Sequence, residues 1–184
     1  MSGNNKNALP ARDEIEAKYK WKLEDIYESD SQWEEDFKKV QGMAGEMASF
    51  KGKLAGDMKT LLECFKFSEQ MLALNDKIFV YARMRRDENN ALSKYQALTD
   101  RAMALSTEVY ASISFIDPEI LSIDEDLLKK SLDEMEGLSL YKQHIGELLR
   151  QKKHILSDTE EELLALSSEM AGAPSDIFTM FNNA

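Results

Sequence analysis

Apolar residues recur at steps of three and four along most of this chain, and that period admits only one kind of element. Trp33, Phe37 and Val40 begin the pattern, and Met58, Leu61, Leu62 and Phe65 renew it. Phe67, Met71, Leu74, Ile78 and Tyr81 carry it on, and Tyr95, Leu98, Ala102, Leu105, Val109, Ile113 and Ile116 form the longest stripe. Side chains three and four apart share one face of an α-helix, whereas a half-buried strand alternates. The expected fold is all-α, a multi-helical bundle containing a long antiparallel helix hairpin. Leu, Ala, Glu, Lys and Met dominate the composition, and valine is scarce, so helix formers with little rotamer entropy to lose are over-used. A chain of 184 residues can bury a core without disulfides or metals.

Local signals divide the chain into residues 1–28, 29–117 and 118–184. The first part is a polar tail followed by Lys-Tyr-Lys-Trp-Lys-Leu-Glu-Asp-Ile-Tyr, in which Trp21, Leu23, Ile26 and Tyr27 are expected to anchor a wrapping segment with little regular structure. Ser31 and Glu34 have the spacing of a capping box, so a first helix is expected from Ser31 to about Ser49, ended by Lys51-Gly52-Lys53. Asp57 can cap a second helix, with a break near Lys66–Ser68 left open, ending at Asn89-Asn90. Leu92 or Ser93 opens a third helix, expected to stop at Asp117 because the residue before a proline disfavours helical dihedrals. Two long helices joined by a short polar turn pack as a hairpin.

Beyond Pro118 the helices shorten. Asp124 or Asp126 precedes one that ends at Gly137, and Ser139 precedes another carrying Tyr141, Ile145, Leu148 and Leu149. Ser157 and Glu160 form a second capping box. A final short helix after Pro174 presents Ile177, Phe178, Met180 and Phe181. Apolar side chains of that size at the end of a chain call for a partner, so self-association through Ile177, Phe178 and Phe181 is expected.

A formal net charge of −11 repels phosphate backbones, which argues against nucleic acid and anionic membranes. The basic clusters Arg83/Arg85/Arg86 and Arg150/Lys152/Lys153 sit among acidic neighbours and read as solvated helix faces. No run of 18 apolar residues exists, and the start has no apolar signal core, so no membrane span is expected and the cytoplasm fits best. The single cysteine, Cys64, excludes an internal disulfide and reads as a small buried hydrophobe.

The usual catalytic constellations do not occur. A helical zinc peptidase needs two histidines four apart with a glutamate beside the first. Here the two histidines, His144 and His154, are ten apart, about 80° around a helix. Neither has the Glu-x-x-His spacing of di-iron bundles. Asp124–Asp126 and Glu160–Glu162 lack the glycine and alternation of a calcium loop. Phosphate loops and Gly-x-Ser-x-Gly are absent. No catalytic or metal-binding residue, no substrate-binding residue and no cofactor are assigned, and His154 is read as a packing or capping residue at a helix junction.

Trp-Lys-Leu-Glu-Asp-Ile-Tyr followed by Ser-Asp-Ser-Gln-Trp-Glu-Glu-Asp-Phe resembles the start of oligoendopeptidase F, in the thimet-oligopeptidase-like zinc metallopeptidases. The likeness continues through Ile78–Asn89 and Phe115–Ile120 to Arg150, His154, Leu156-Ser157 and Glu161 or Glu162. The resemblance implies an N-terminal helical lobe that helps form a channel admitting short peptides. It also implies that zinc and its His-Glu-x-x-His helix belong to a C-terminal catalytic lobe absent here, so that this chain alone is inactive. The alternative is a free-standing, non-catalytic helical module that binds a peptide or protein.

Overall fold

The computed structural model describes residues 14–90 and 92–152, together with Pro174, Ile177, Phe178 and Phe181. These residues are helices, turns and loops, with no strand among them. The chain divides into two compact units, Met1–Ser139 and Leu140–Ala184.

Three long helices make the core of the first unit: α1 (Asp30–Glu46), α2 (Met58–Glu88) and α3 (Ser93–Ile113). Polar contacts between them fix their directions. Thr99 reaches the Ala82 carbonyl, and one helical stretch further on Ser106 reaches Asn75. As numbers rise on α3 they fall on α2, so the two form the expected antiparallel hairpin. Trp33 meets Ile78 and Asp30 meets Tyr81, so α1 is also antiparallel to α2. Asp30 with Lys94 and Glu34 with Arg101 then make α1 and α3 parallel.

The start of α1 lies earlier than the sequence spacing indicates. Ser29, not Ser31, is the N-cap: its hydroxyl accepts from the Gln32 amide, while the Gln32 side chain accepts from the Glu28 amide at 3.0 Å. The box is Ser29/Gln32, and Glu34 is thereby released to reach Arg101. Asp57 caps α2 as expected, accepting from the Lys59 amide at 3.1 Å. The helix then runs through Lys66–Ser68 without a break.

The core face of α2 is not wholly apolar. Met71, Ile78 and Tyr81 are fully buried, but Phe67 and Leu74 are only half-buried. Ser68 and Asn75 occupy core positions instead, at 6% and 2% exposure. Each is satisfied: Ser68 donates to the Phe65 carbonyl, and Asn75 accepts from Ser106. Facing them on α3 are Leu98, Thr99, Ala102, Leu105 and Val109, all buried.

α3 ends at Ile113 and not at Asp117. After a turn at Ser114-Phe115, α4 (Ile116–Ser122) carries Asp117 and Pro118 in its first turn, where proline's missing N–H costs nothing. Its Glu119 carboxylate accepts from the amides of Gly52 (2.6 Å) and Leu54 (3.2 Å), clasping the loop between α1 and α2. Gly52 has φ +79°, a conformation open to glycine at little cost. α5 (Glu125–Glu134) is capped by Asp124, whose side chain accepts from the Leu127 amide. Leu128 and Leu132 are buried, and Gly137, at φ +90°, passes close to Leu62.

In the second unit α6 (Lys142–Gln151) buries Ile145 and carries in its last turn Arg150, which pairs with Glu147. Pro174, Ile177, Phe178 and Phe181 are helical and exposed. The second capping box at Ser157 and Glu160, with Met170 and Met180, lies outside the described residues.

Candidate functional site

The segment ahead of α1 lies across the end of the helix bundle in two single turns of 3-10 helix, Ala17–Tyr19 and Leu23–Asp25. Of its four expected anchors, Leu23 (1% exposed) and Tyr27 (2%) are buried and Ile26 is half-buried. Trp21 is 78% exposed, so it does not anchor the segment. Leu23 and Tyr27, four apart, turn inward, and Trp21, two residues before Leu23, stays in solvent.

Tyr27 enters a stack of alternating chemistry. Lys77 lies 4.0 Å over its ring, Tyr81 meets it edge-on at 5.2 Å, and Arg85 lies 5.2 Å over Tyr81. The two phenols donate to carboxylates, Tyr27 to Asp36 at 2.8 Å and Tyr81 to Asp30 at 2.9 Å. Lys94 adds a 2.5 Å ion pair to Asp30. Arg85, with 16% of its side chain exposed, spans Glu24 on the segment (2.9 Å) and Glu88 on its own helix (3.0 Å). Its Nε is buried without a hydrogen-bond partner. Beside this stack Trp33 donates to the Ile78 carbonyl at 2.9 Å. Arg101 forks onto Glu34 at 2.8 and 2.9 Å while lying over Phe37 and Trp33.

The electrostatics hold Tyr27, Tyr81, Asp30, Glu34 and Arg85 in their ordinary charge states. Burial pushes the Tyr27 phenol far up, helped by Asp36. Burial also raises Tyr81. For Asp30, burial acts upward but is outweighed by the hydrogen bonds from Lys94 and Tyr81, so its carboxyl is held below the usual range. Arg101 does the same to Glu34. Burial opposes the charge on Arg85, but its bonds to Tyr81, Glu24 and Glu88 prevail and raise it. Tyr27, Tyr81, Asp30, Glu34 and Arg85 are thus each held in the charge state that suits a clamp between helices.

Outside the clamp, two hollows flank the exposed indole of Trp21. One, of about 230 Å³, is lined by Trp21, Leu23, Met84, Asp87 and Glu88. The other, of about 340 Å³, is lined by Ala17, Lys20, Trp21, Lys22, Glu24 and Glu88. A third, of about 500 Å³, lies between α1 and α2 beside Lys39, Met43, Gln70, Ala73, Leu74 and Lys77.

The residues singled out by sequence do not converge. His144 is exposed on α6, and His154 lies outside the described residues, as do Lys153, Leu156, Ser157, Glu161 and Glu162. Cys64 is fully buried on α2, and burial, with the charge of Glu119, pushes its thiol up to about 11. That is the environment of an inert core thiol. Arg83 and Arg86 are paired with Asp87, and Arg85 is the hub of the clamp. Among the described residues no group of three His, Cys, Asp or Glu is placed to hold a metal ion. No helix among them is long and apolar enough to cross a membrane. The hollows around Trp21 were missed because the aromatic was counted as an anchor.

Residues 119–184 match a family model described as Oligopeptidase F. Oligopeptidase PepF of Bacillus subtilis is 38% identical over 178 residues, 97% of this chain and 27% of that protein. Group B oligopeptidase PepB of Streptococcus agalactiae is 32% identical over 94% of this chain and 29% of its own length. The chain thus spans under a third of the curated relatives it matches. The crystal structure of oligoendopeptidase-F from Enterococcus faecium superposes on 85% of this chain at a TM-score of 0.64 and 29% identity, using 31% of that chain. The crystal structure of a putative peptidase from Chlamydophila abortus has the same fold over 94% of this chain, with a TM-score of 0.74 at 19% identity.

Proposed function

Since this chain belongs to the oligopeptidase F family and corresponds to its N-terminal region, we propose that it is a non-catalytic helical lobe of a peptidase acting on short peptides. It assists by shaping the approach to a catalytic site carried elsewhere in the full-length protein. The carrying observation is the 38% identity to Oligopeptidase PepF, which runs over nearly all of this chain yet occupies only 27% of that protein. The clamp of Tyr27, Tyr81 and Arg85 supports a scaffold role, because its groups are locked in their charge states. We assign no catalytic and no metal-binding residue to this chain. Zinc and its ligands belong to the remaining part of the family-length protein, and the setting is cytoplasmic.

A domain exchange tests the reading. The segment of Bacillus subtilis Oligopeptidase PepF that matches this chain is replaced by this chain, and hydrolysis of an internally quenched short peptide is followed. The exchanged protein is expected to cleave the peptide and to leave a folded protein substrate intact, while the isolated chain cleaves neither. A folded but inactive exchange protein, or hydrolysis by the isolated chain that survives repeated purification, overturns it.

A further inference from the structure

The outer face of α3 lacks the charge that a solvated helix face carries. Between Arg101 and Asp117 the only charged residue is Glu108, although 31% of the chain is charged. Ala102, Leu105 and Val109 point into the core. The opposite side presents Met103, 53% exposed, and Tyr110, 56% exposed, together with Ala104, Thr107, Ala111 and Ser114. Met103 and Tyr110 are seven apart, close to two turns, so they stand in one line. The two hydroxyls of this face are turned back onto their own helix. Thr107 donates to the Met103 carbonyl at 3.1 Å, and Ser114 donates to the Ala111 carbonyl at 2.9 Å. Two large side chains in line beside a row of small ones make the ridge and groove into which a second helix packs.

Size and charge narrow the choice of partner. The face is six side chains wide, on the order of a few hundred Å². Two separate molecules need roughly 800 Å² per partner for a stable complex. A segment tethered to the same polypeptide needs less, because its effective concentration is high. A second copy is disfavoured by charge as well, since each carries −11. The family supplies a tethered segment, because this chain matches only 27% of Oligopeptidase PepF and 29% of Group B oligopeptidase PepB. We propose that the Met103/Tyr110 face of α3 is the seat of an apolar helix from the part of the family-length protein that this chain does not span. The inference rests on the reading of the chain as an N-terminal lobe, and it adds which surface of the lobe meets the remainder. Met103 and Tyr110 grip the incoming helix, Ala104 and Ala111 let its backbone come close, and Glu108 stays in water at the border.

Cysteine labelling tests the seat directly. Ala104→Cys puts a thiol on the face, while Cys64, fully buried with its thiol raised to about 11, contributes only a slow background. The variant is made in this chain and in the exchange protein built on PepF, and the labelled peptide is followed by mass spectrometry. Expected are fast labelling in the chain alone at every concentration, and labelling at least about tenfold slower in the exchange protein. Comparable rates in the two folded proteins overturn the proposal, even when the exchange protein cleaves its peptide. A folded exchange protein that is protected yet inactive supports the seat and defeats the proposed function instead. Should the exchange protein not fold, PepF itself is labelled with a cysteine at the residue aligned with Ala104, and rates as fast when folded as in urea overturn the seat. Slow labelling of the chain alone also overturns it. At every concentration that result assigns the cover to this chain itself, and only at high concentration, with a dimer in sedimentation, to a second copy.

Discussion

Single side chains in this molecule are arranged to keep their charge state, and pH exposes that arrangement. Glu34 is held below the usual carboxylate range by Arg101. Asp30 is held low against its own burial by Lys94 and Tyr81. A folded pKa below the unfolded one gives stability that is complete above the ordinary carboxylate value of about 4. That stability is lost as pH falls below this value through the lowered folded pKa. Glu34→Gln is therefore expected to flatten the decline in stability below about pH 4 at constant ionic strength. Urea melts at a series of pH values check this, and a variant curve parallel to that of the unaltered chain counts against the Arg101 fork. Cys64 gives the opposite sign. Its thiol, raised to about 11 by burial, keeps its stabilisation below the unfolded thiol value and loses it as pH rises toward the folded one. At pH 8 a thiol reagent is expected to label the folded chain on the order of a hundredfold more slowly than the chain in urea. Similar rates in the two states place Cys64 on the surface.

At the scale of elements, the α2–α3 pair holds most of the core, and its polar members matter as much as its apolar ones. Leu105→Ala removes a buried side chain from the middle of the pair and is expected to cost roughly 2–5 kcal/mol. Ser106→Ala is a smaller cut, but it leaves the buried Asn75 oxygen without its donor. That deficit is expected to cost about 1–3 kcal/mol. Chemical denaturation of both variants is the measurement, and a loss below about 0.5 kcal/mol in both shows that the pair does not carry the core. The hairpin itself was legible because apolar stripes sustained over several turns leave few alternatives. Ser68, Asn75 and Thr99 were not legible, because a count of apolar residues has no term for a polar side chain that finds a hydrogen-bond partner inside the core. Capping positions were half legible. Asp57 stands alone before its helix, whereas Asp124 competes with Asp126 and Ser29 with Ser31; Ser29 is the cap, and Glu34 pairs with Arg101. The stop at Asp117 failed for a related reason: proline forbids a helix interior but suits a first turn.

For the molecule as a whole, charge and apolar surface oppose each other. A net charge of −11 keeps copies apart, yet Phe178 is 67% exposed and Phe181 86% exposed. Association through such side chains is expected to grow with concentration and to resist or strengthen with salt, because screening removes the repulsion between acidic surfaces. Sedimentation of the unaltered chain beside a Phe178→Ser/Phe181→Ser variant checks this. Two monomers of equal solubility at high concentration remove any role for the tail as a contact. The Trp21 edge was harder to foresee than the tail, since both are large aromatics on a charged background. Sequence does not say whether such an aromatic turns inward, as Tyr27 does, or outward, as Trp21 does. The decision depends on Leu23 and Tyr27 reaching the bundle first and on Arg85 pinning Glu24 between them.

The Glu119 clasp has a consequence in time. The loop it holds, around Gly52 and Leu54, precedes it by some 65 residues in the chain. During folding that loop has no carboxylate to close on until α3 is in place and α4 has swung back. Closing so long a stretch pays its entropy late, so the clasp is expected to form after the main barrier. Glu119→Gln is then expected to speed unfolding in stopped-flow denaturant jumps and to leave the refolding rate nearly unchanged. The carboxylate acts as a latch on the finished bundle, one that lengthens its lifetime without hastening its assembly, and slowed refolding in that variant would instead place α4 among the first parts to dock.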